Sequence, residues 1–147
     1  MPLIVTGCYH QKEKMRLREQ LITEAREWIG TPWQHHQCCK SYGVDCVGLF
    51  WGIAESCNVN IGSKINYYRN PISNSLQEEL DKRFQPIPFA DRAPGDCLLF
   101  RIGSVPRHVG MVSYDNHFIH ASCQHGVIEV ILDTRWRDRV VSCYQIF

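Results

Sequence analysis

In GVDCVGLFWGIAE, residues 43–55, a cysteine follows an acid at the head of an almost wholly apolar run. The stretch predicts a helix with Asp45 as its cap and Cys46 in its first turn. Unpaired N–H groups and the helix dipole favour an anion at that end, the conditions that turn a thiol into a thiolate. Such a thiol needs a base. Of the seven histidines, His108 in RHVGMV and His120 in FIHAS stand on predicted strands with apolar neighbours, whereas His35 and His36 fall on a polar loop and read as surface residues. A histidine on a strand packed against the Cys46 helix can take the thiol proton. A second can hold the first ring in the right tautomer. Nucleophile, base and orienter together are the parts of acyl transfer.

The elements that carry these side chains must meet a condition. Side chains alternate across a strand, and directly opposed residues share a face. A plain two-residue hairpin at Asp115-Asn116 would oppose Tyr114 to His117 and send His108 and His120 to opposite sides of the sheet. For both to reach one site, the loop must hold an odd number of residues, or a bulge must shift the register.

The rest of the chain reads as an α+β domain. Residues 12–29 form an amphipathic helix with Leu17, Leu21, Ala25 and Trp28 on one stripe and Ile22 and Ile29 beside it; Gly30 and Pro32 stop it. Residues 33–43 are a polar loop leading to Cys46. The helix from Asp45 is apolar nearly all round and therefore buried. The segment from Cys57 to Ser75 reads as a long surface excursion, and Ser75 with Glu78 makes a capping box for a short helix. After the Pro94-Gly95-Asp96 turn come strand-like runs at 97–102, 108–114, 117–122, 127–132 and 140–147. Helices followed by an antiparallel meander give the α+β pattern, with the Cys46 helix as the sheet's cover.

The bulk properties narrow the function classes. At 147 residues the chain is one domain, 1–147, with 44% apolar and 21% charged residues. A net charge of +1 predicts no strong attraction to nucleic acid or membrane. The first residues lack the pattern of a signal peptide, and no run reaches transmembrane length. The eight cysteines lack the spacing of a secreted disulfide framework and read as mostly reduced thiols made in a cytosol. A structural zinc site is the rival chemistry around His35, His36, Cys38, Cys39 and Cys46. No C-x-x-C pair is present to support it, and adjacent ligands such as Cys38-Cys39 rarely point at one ion.

With these residues in view, the chain resembles the NlpC/P60 family of papain-like cysteine peptidases that cut bacterial cell-wall peptides. The elements WIGTPW, GVDCVGL, PGDCLLF, RHVGMV and FIHAS occur in the family's order over roughly residues 20–147. The resemblance implies a papain-like fold, with N-terminal helices and the catalytic helix packed on a five- to six-stranded antiparallel sheet. It assigns the nucleophile to Cys46, the general base to His108 and the orienting polar residue to His120. It also implies a substrate-binding set of Trp33, Asp45 and Val47. Trp33 stands where an aromatic, usually Tyr, shapes the site. Asp45 is placed to hold a substrate amine, and Val47 replaces a subsite serine. No cofactor and no metal are implied.

A narrower resemblance, carried by TPWQHHQ, DCVGL, FIHASCQHGVIEV and WRDR, is to single-domain members encoded by phages, prophages and gene transfer agents. It implies synthesis in a host cytoplasm without a signal peptide, then carriage in a virion or phage-like tail that acts at the bacterial envelope. The partners would be peptidoglycan peptides and tail or hub proteins. The implied reaction is thiol-dependent hydrolysis of a stem peptide at the D-γ-glutamyl-diamino acid bond. The alternative is a non-catalytic tail subunit that keeps the fold for docking. A permuted thiol acyltransferase would place its histidine before its cysteine, the reverse of the order here.

Overall fold

The computed structural model describes residues 3–4, 10–65 and 74–147. Cys8, the opening residues used in the signal-peptide reading and residues 66–73 of the expected excursion lie outside the described residues, apart from the backbone of Leu3 and Ile4. The elements run in the order β1 (Leu3–Ile4), α1 (Gln11–Glu27), β2 (Cys38–Cys39), β3 (Gly43–Val44), α2 (Cys46–Ser56), β4 (Val59–Asn60) and α3 (Ser75–Arg83). They continue with β5 (Gln85–Ile87), β6 (Cys97–Ile102), β7 (Val105–Val112), β8 (His117–Ser122), β9 (Gly126–Ile131), α4 (Thr134–Arg137) and β10 (Val140–Gln145).

The main sheet has six strands in the order β5-β10-β6-β7-β8-β9, all antiparallel. The expected meander is present from β6 to β9, but the last strand crosses back and slots between β6 and a short strand, β5, that the apolar pattern did not mark. Alternation along the strands splits the core in two. Leu99, Val109, Met111, Ile119 and Ala121 pack with α1 and α2, while Phe100, Val112 and Phe118 pack on the other face with Trp136.

Helix α2 has every residue from Cys46 to Ala54 buried, as its all-round apolar sequence requires. Leu17, Leu21, Ile22 and Ala25 of α1 are buried, and Trp28 just past its end is 4% exposed. Ile29, expected beside that stripe, is instead exposed at 45%, because the helix has already ended. The PGD turn is fastened to α1. Asp96, fully buried, accepts from the Ala93 N–H and pairs with Arg18 at 2.7 Å. Burial pushes the Asp96 carboxyl up, outweighing the opposing pull of Arg18.

Two local expectations are corrected. The residue at the head of α3 is Asn74, with Ser75 the first helical residue, so the expected Ser75–Glu78 capping box does not start the helix. The segment after α2 is not wholly superficial. β4 pairs in parallel with β1, and Val59, Ile61 and Ile65 are buried. Among the described residues, no helix is long and apolar enough to cross a membrane.

Candidate active site

Asp45 caps α2, and both of its oxygens are committed. Oδ1 accepts from the Gly48 N–H at 2.7 Å and Oδ2 from the His36 N–H at 2.8 Å. The carboxylate thus joins the first turn of the helix to the loop before it. Gly48 lets that loop come close, since a Cβ there would lie 2.3 Å from the Gln37 carbonyl oxygen. On the other side, Gly126 (φ +72°) lets the start of β9 approach Thr31, and Val127 N–H donates to the Thr31 oxygen at 2.9 Å. Trp33 then pairs with Val44 beside the head of α2. Cys46 is the first residue of that helix, and its Sγ lies 4.0 Å from the Arg107 carbonyl oxygen.

The hairpin condition is met by a bulge. Asp115 and Asn116 both have positive φ and form the turn, closed by His117 N–H to the Tyr114 oxygen at 3.1 Å. Ser113 N–H also donates to the His117 oxygen, at 2.9 Å, so two residues of one strand oppose one of the other. The register becomes Val112 opposite Phe118 and Met111 opposite Ile119, one residue away from that of a plain hairpin. His108 and His120 therefore share a face. It is the face away from α2, where their rings contact Phe100, Phe118 and Trp136. Ladder pairs between β7 and β8 stop at Met111–Ile119, so the strands part towards the histidines. A second bulge precedes His108: Phe100 pairs with His108 and Arg101 with Pro106, leaving Arg107 as the extra residue.

Where the strands part, a cleft of about 310 Å³ opens, lined by Cys46, His108, His120, Trp33, Arg107 and Trp136 among others. His108 Nε2 lies 2.8 Å from His120 Nδ1. Burial alone pushes the His120 imidazole down to about 4, so this ring is neutral at pH 7. A neutral ring that accepts at Nδ1 carries its proton on Nε2. That Nε2 is buried and has no hydrogen-bond partner among the described residues. The Trp136 ring lies against the same imidazole, 5.0 Å between centroids and tilted by 70°, an arrangement in which an N–H can meet an aromatic face. Trp136 also stacks at 6.3 Å on His108 and so roofs both rings.

Of the residues singled out in the sequence, Cys46, His108, His120 and Trp33 are brought together in the cleft. Asp45 and Val47 are not among its lining residues; both are fully buried. Each Asp45 oxygen accepts a backbone N–H, and Val47 packs in the core. His35 stacks on His36 and, more distantly, on Trp33, which ties the loop to the cleft wall. Sequence reasoning missed Arg107, Arg139 and the roof. WRDR carried a signal for the last, as an aromatic between basic residues just before the final strand. A larger hollow of about 670 Å³ beside Trp51 and Gly62 contains no histidine. Among the described residues, no group of three or more His, Cys, Asp or Glu is arranged to hold a metal.

Comparison with known proteins gives a family and a fold. The NlpC/P60 family matches residues 28–145. The chain is 29% identical over 112 residues to the murein DD-endopeptidase MepS/murein LD-carboxypeptidase of Escherichia coli K12, covering 76% of this chain and 53% of the relative. It thus spans about half the length of that relative. It is 27% identical to the probable endopeptidase NlpC of the same strain, covering 89% of this chain and 84% of that protein. Among solved structures, the NlpC/p60 domain of the peptidoglycan hydrolase SagA superposes with a TM-score of 0.64 at 19% identity, covering 87% of this chain and 97% of that one. The peptidoglycan hydrolase RipB of Mycobacterium tuberculosis gives 0.67 at 16% identity, covering 95% and 69%. With a family match across most of its length, and the family's α+β fold, the chain belongs to the NlpC/P60 family.

Proposed function

We propose that the chain hydrolyses amide bonds of bacterial cell-wall peptides through a Cys46 thiolate. The observation that carries this reading is the bonded His108–His120 pair sharing one cleft with a cysteine at the head of a helix. His108 donates from Nε2 to His120, so Nδ1 is the ring nitrogen left to take the thiol proton. The thiolate attacks the scissile carbonyl, and backbone N–H groups in the first turn of α2 stabilise the oxyanion. The His108 imidazolium returns its proton to the leaving amine, giving a thioester. Water activated by His108 then releases the acid and restores the thiol. Neutral His120 holds the ring without removing its charge-changing role.

The names of the relatives, endopeptidases and hydrolases of murein or peptidoglycan, support the substrate class. The bond we assign is the one between the γ-carboxyl of D-glutamate and the diamino acid, as the family resemblance implies. The name of the MepS relative carries DD and LD bonds instead. Product masses separate these choices. Purified wall fragments incubated with the protein should lose a dipeptide-linked mass, and Cys46→Ala protein, folded by circular dichroism, should release nothing. Cleavage persisting in that variant overturns the thiol mechanism.

Delivery by a phage-type tail is supported by the TPWQHHQ, DCVGL, FIHASCQHGVIEV and WRDR likeness. Proteomics of purified particles from the producing strain tests it. The protein should co-purify with tail proteins, and its absence from every particle fraction rejects the assignment.

A further inference from the structure

We infer that Arg107 and Arg139 form a carboxylate-binding subsite that selects wall peptides carrying a free carboxylate near the scissile bond. The inference rests on the hydrolytic reading above and names what the cleft prefers within it. Both arginines line the cleft, and no acidic side chain does. Neither guanidinium takes part in an ion pair among the described residues, whose bridges use Arg18, Arg26, Lys40, Lys82 and Arg83. Arg107 Nε is buried without a hydrogen-bond partner among those residues. That Nε is closed to a ligand as it is to water, so a carboxylate in the cleft would be met by the two terminal nitrogens of the guanidinium. Arg139 lies over the ring of Trp136 at 5.4 Å, and both residues line the cleft.

Position makes the pair selective. The bulge sets Arg107 immediately before the base His108, and its carbonyl oxygen lies 4.0 Å from the Cys46 sulfur. Its side chain therefore starts within one residue of the point of attack. A planar guanidinium there suits a carboxylate a few bonds from the reacting carbonyl. A γ-linked glutamate offers one on the acyl side, and a C-terminal diaminopimelate offers two on the leaving side. The shared chemistry is the carboxylate, and selective amidation tells the two sources apart.

The test uses three peptides: L-Ala-γ-D-Glu-diaminopimelate as the free acid, and two analogues amidated at the glutamate α-carboxylate or at both carboxylates of the diaminopimelate. The parent protein should show a kcat/KM about tenfold or more lower on one amidated analogue, the range of a hydrogen bond to a charged group. In Arg107→Gln that ratio of free acid to amide should fall towards one, through KM; Arg107→Lys should keep part of it, and Arg139→Gln should reduce it less. A parent indifferent to amidation overturns the inference, as does an Arg107→Gln variant that slows all three peptides equally. If the parent cleaves none of them, the hydrolytic reading fails on these substrates and binding decides the subsite. Calorimetric titration of Cys46→Ala protein should still favour the free acid over an analogue amidated at both positions. Equal affinity, or no binding of either, rejects the subsite.

Discussion

His108 Nε2 and His120 Nδ1 are bonded at 2.8 Å across two strands that have ceased to pair at that level. Side chains take over where the backbone ladder stops. In the proposed mechanism this bond leaves His108 Nδ1 for the thiol, and it requires His120 to stay neutral.

That neutrality has a measurable price in acid. Burial lowers the folded-state value of His120 to about 4 from an ordinary 6.5. The unfolded chain therefore binds the extra proton first, and stability is lost as pH falls from 6.5 towards 4. The full difference amounts to about 3 kcal/mol. Chemical denaturation at pH 7 and pH 4.5 should reveal this loss, and His120→Asn should remove much of it. A variant with the same pH slope as the parent would assign the acid sensitivity elsewhere.

The roof over the two histidines should set the acid limb of the rate profile. Trp136→Ala admits water to His120, so its value rises towards 6.5 and the ring begins to protonate within the working range. A protonated His120 cannot accept from His108. The low-pH limb of kcat/KM should move up by about one unit or more, while Trp136→Phe, which keeps an apolar cover, should stay close to the parent. A uniform drop in rate with no shift of the limb would make the indole only a packing group.

Thiol reactivity should single out the helix head. Near pH 6, brief iodoacetamide treatment followed by peptide mapping should label Cys46 ahead of Cys38, because the helix terminus and a protonated His108 favour its thiolate. Burial raises the Cys38 thiol and pushes Cys57 up to about 11 and Cys143 to about 12. Cys97, wholly buried, is driven further still. His108→Ala should erase the lead of Cys46. Equal labelling of Cys46 and Cys38 in the parent protein would refute the activated pair.

Gly48→Ala should harm both stability and turnover. Its Cβ would meet the Gln37 carbonyl oxygen at 2.3 Å, and backbone cannot rotate away as a side chain can. Forcing that atom in is expected to destabilise by about 1–3 kcal/mol. It should also displace the loop that carries Trp33. A thermal melt alongside steady-state kinetics measures the two effects; an unchanged melt would contradict the close approach.

Cys46, His108 and His120 could be picked out because each sits in a local pattern: a capped apolar helix, and histidines inside short apolar strands; the fold adds that all three line one cleft. The hairpin condition was legible too, since side-chain alternation fixes parity. Its solution was not, because a bulge at Ser113–Tyr114 depends on how two strands settle against their outer neighbours. β5 escaped notice as three residues containing Pro86. The place of β10 is a non-local pairing that no window of sequence contains. Asp45 was read correctly as a cap, but the direction of its second oxygen depends on the loop at His36. Trp136 could be recognised as an aromatic and not as a roof, since the rings it covers come from strands far away in sequence.

The bulge beside the Asp115–Asn116 turn places a counting rule on how this chain can change over generations. Removing a single residue from the bulge, Tyr114 for instance, leaves a plain hairpin in which Ser113 opposes His117, so Val112 still faces Phe118 and His120 stays on the side of His108. Removing a residue of β8 between the turn and His120 shifts the parity and sends His120 to the other side of the sheet. Single-residue losses among descendants should therefore fall on the bulge, and losses beyond the turn should arrive with a compensating change nearby.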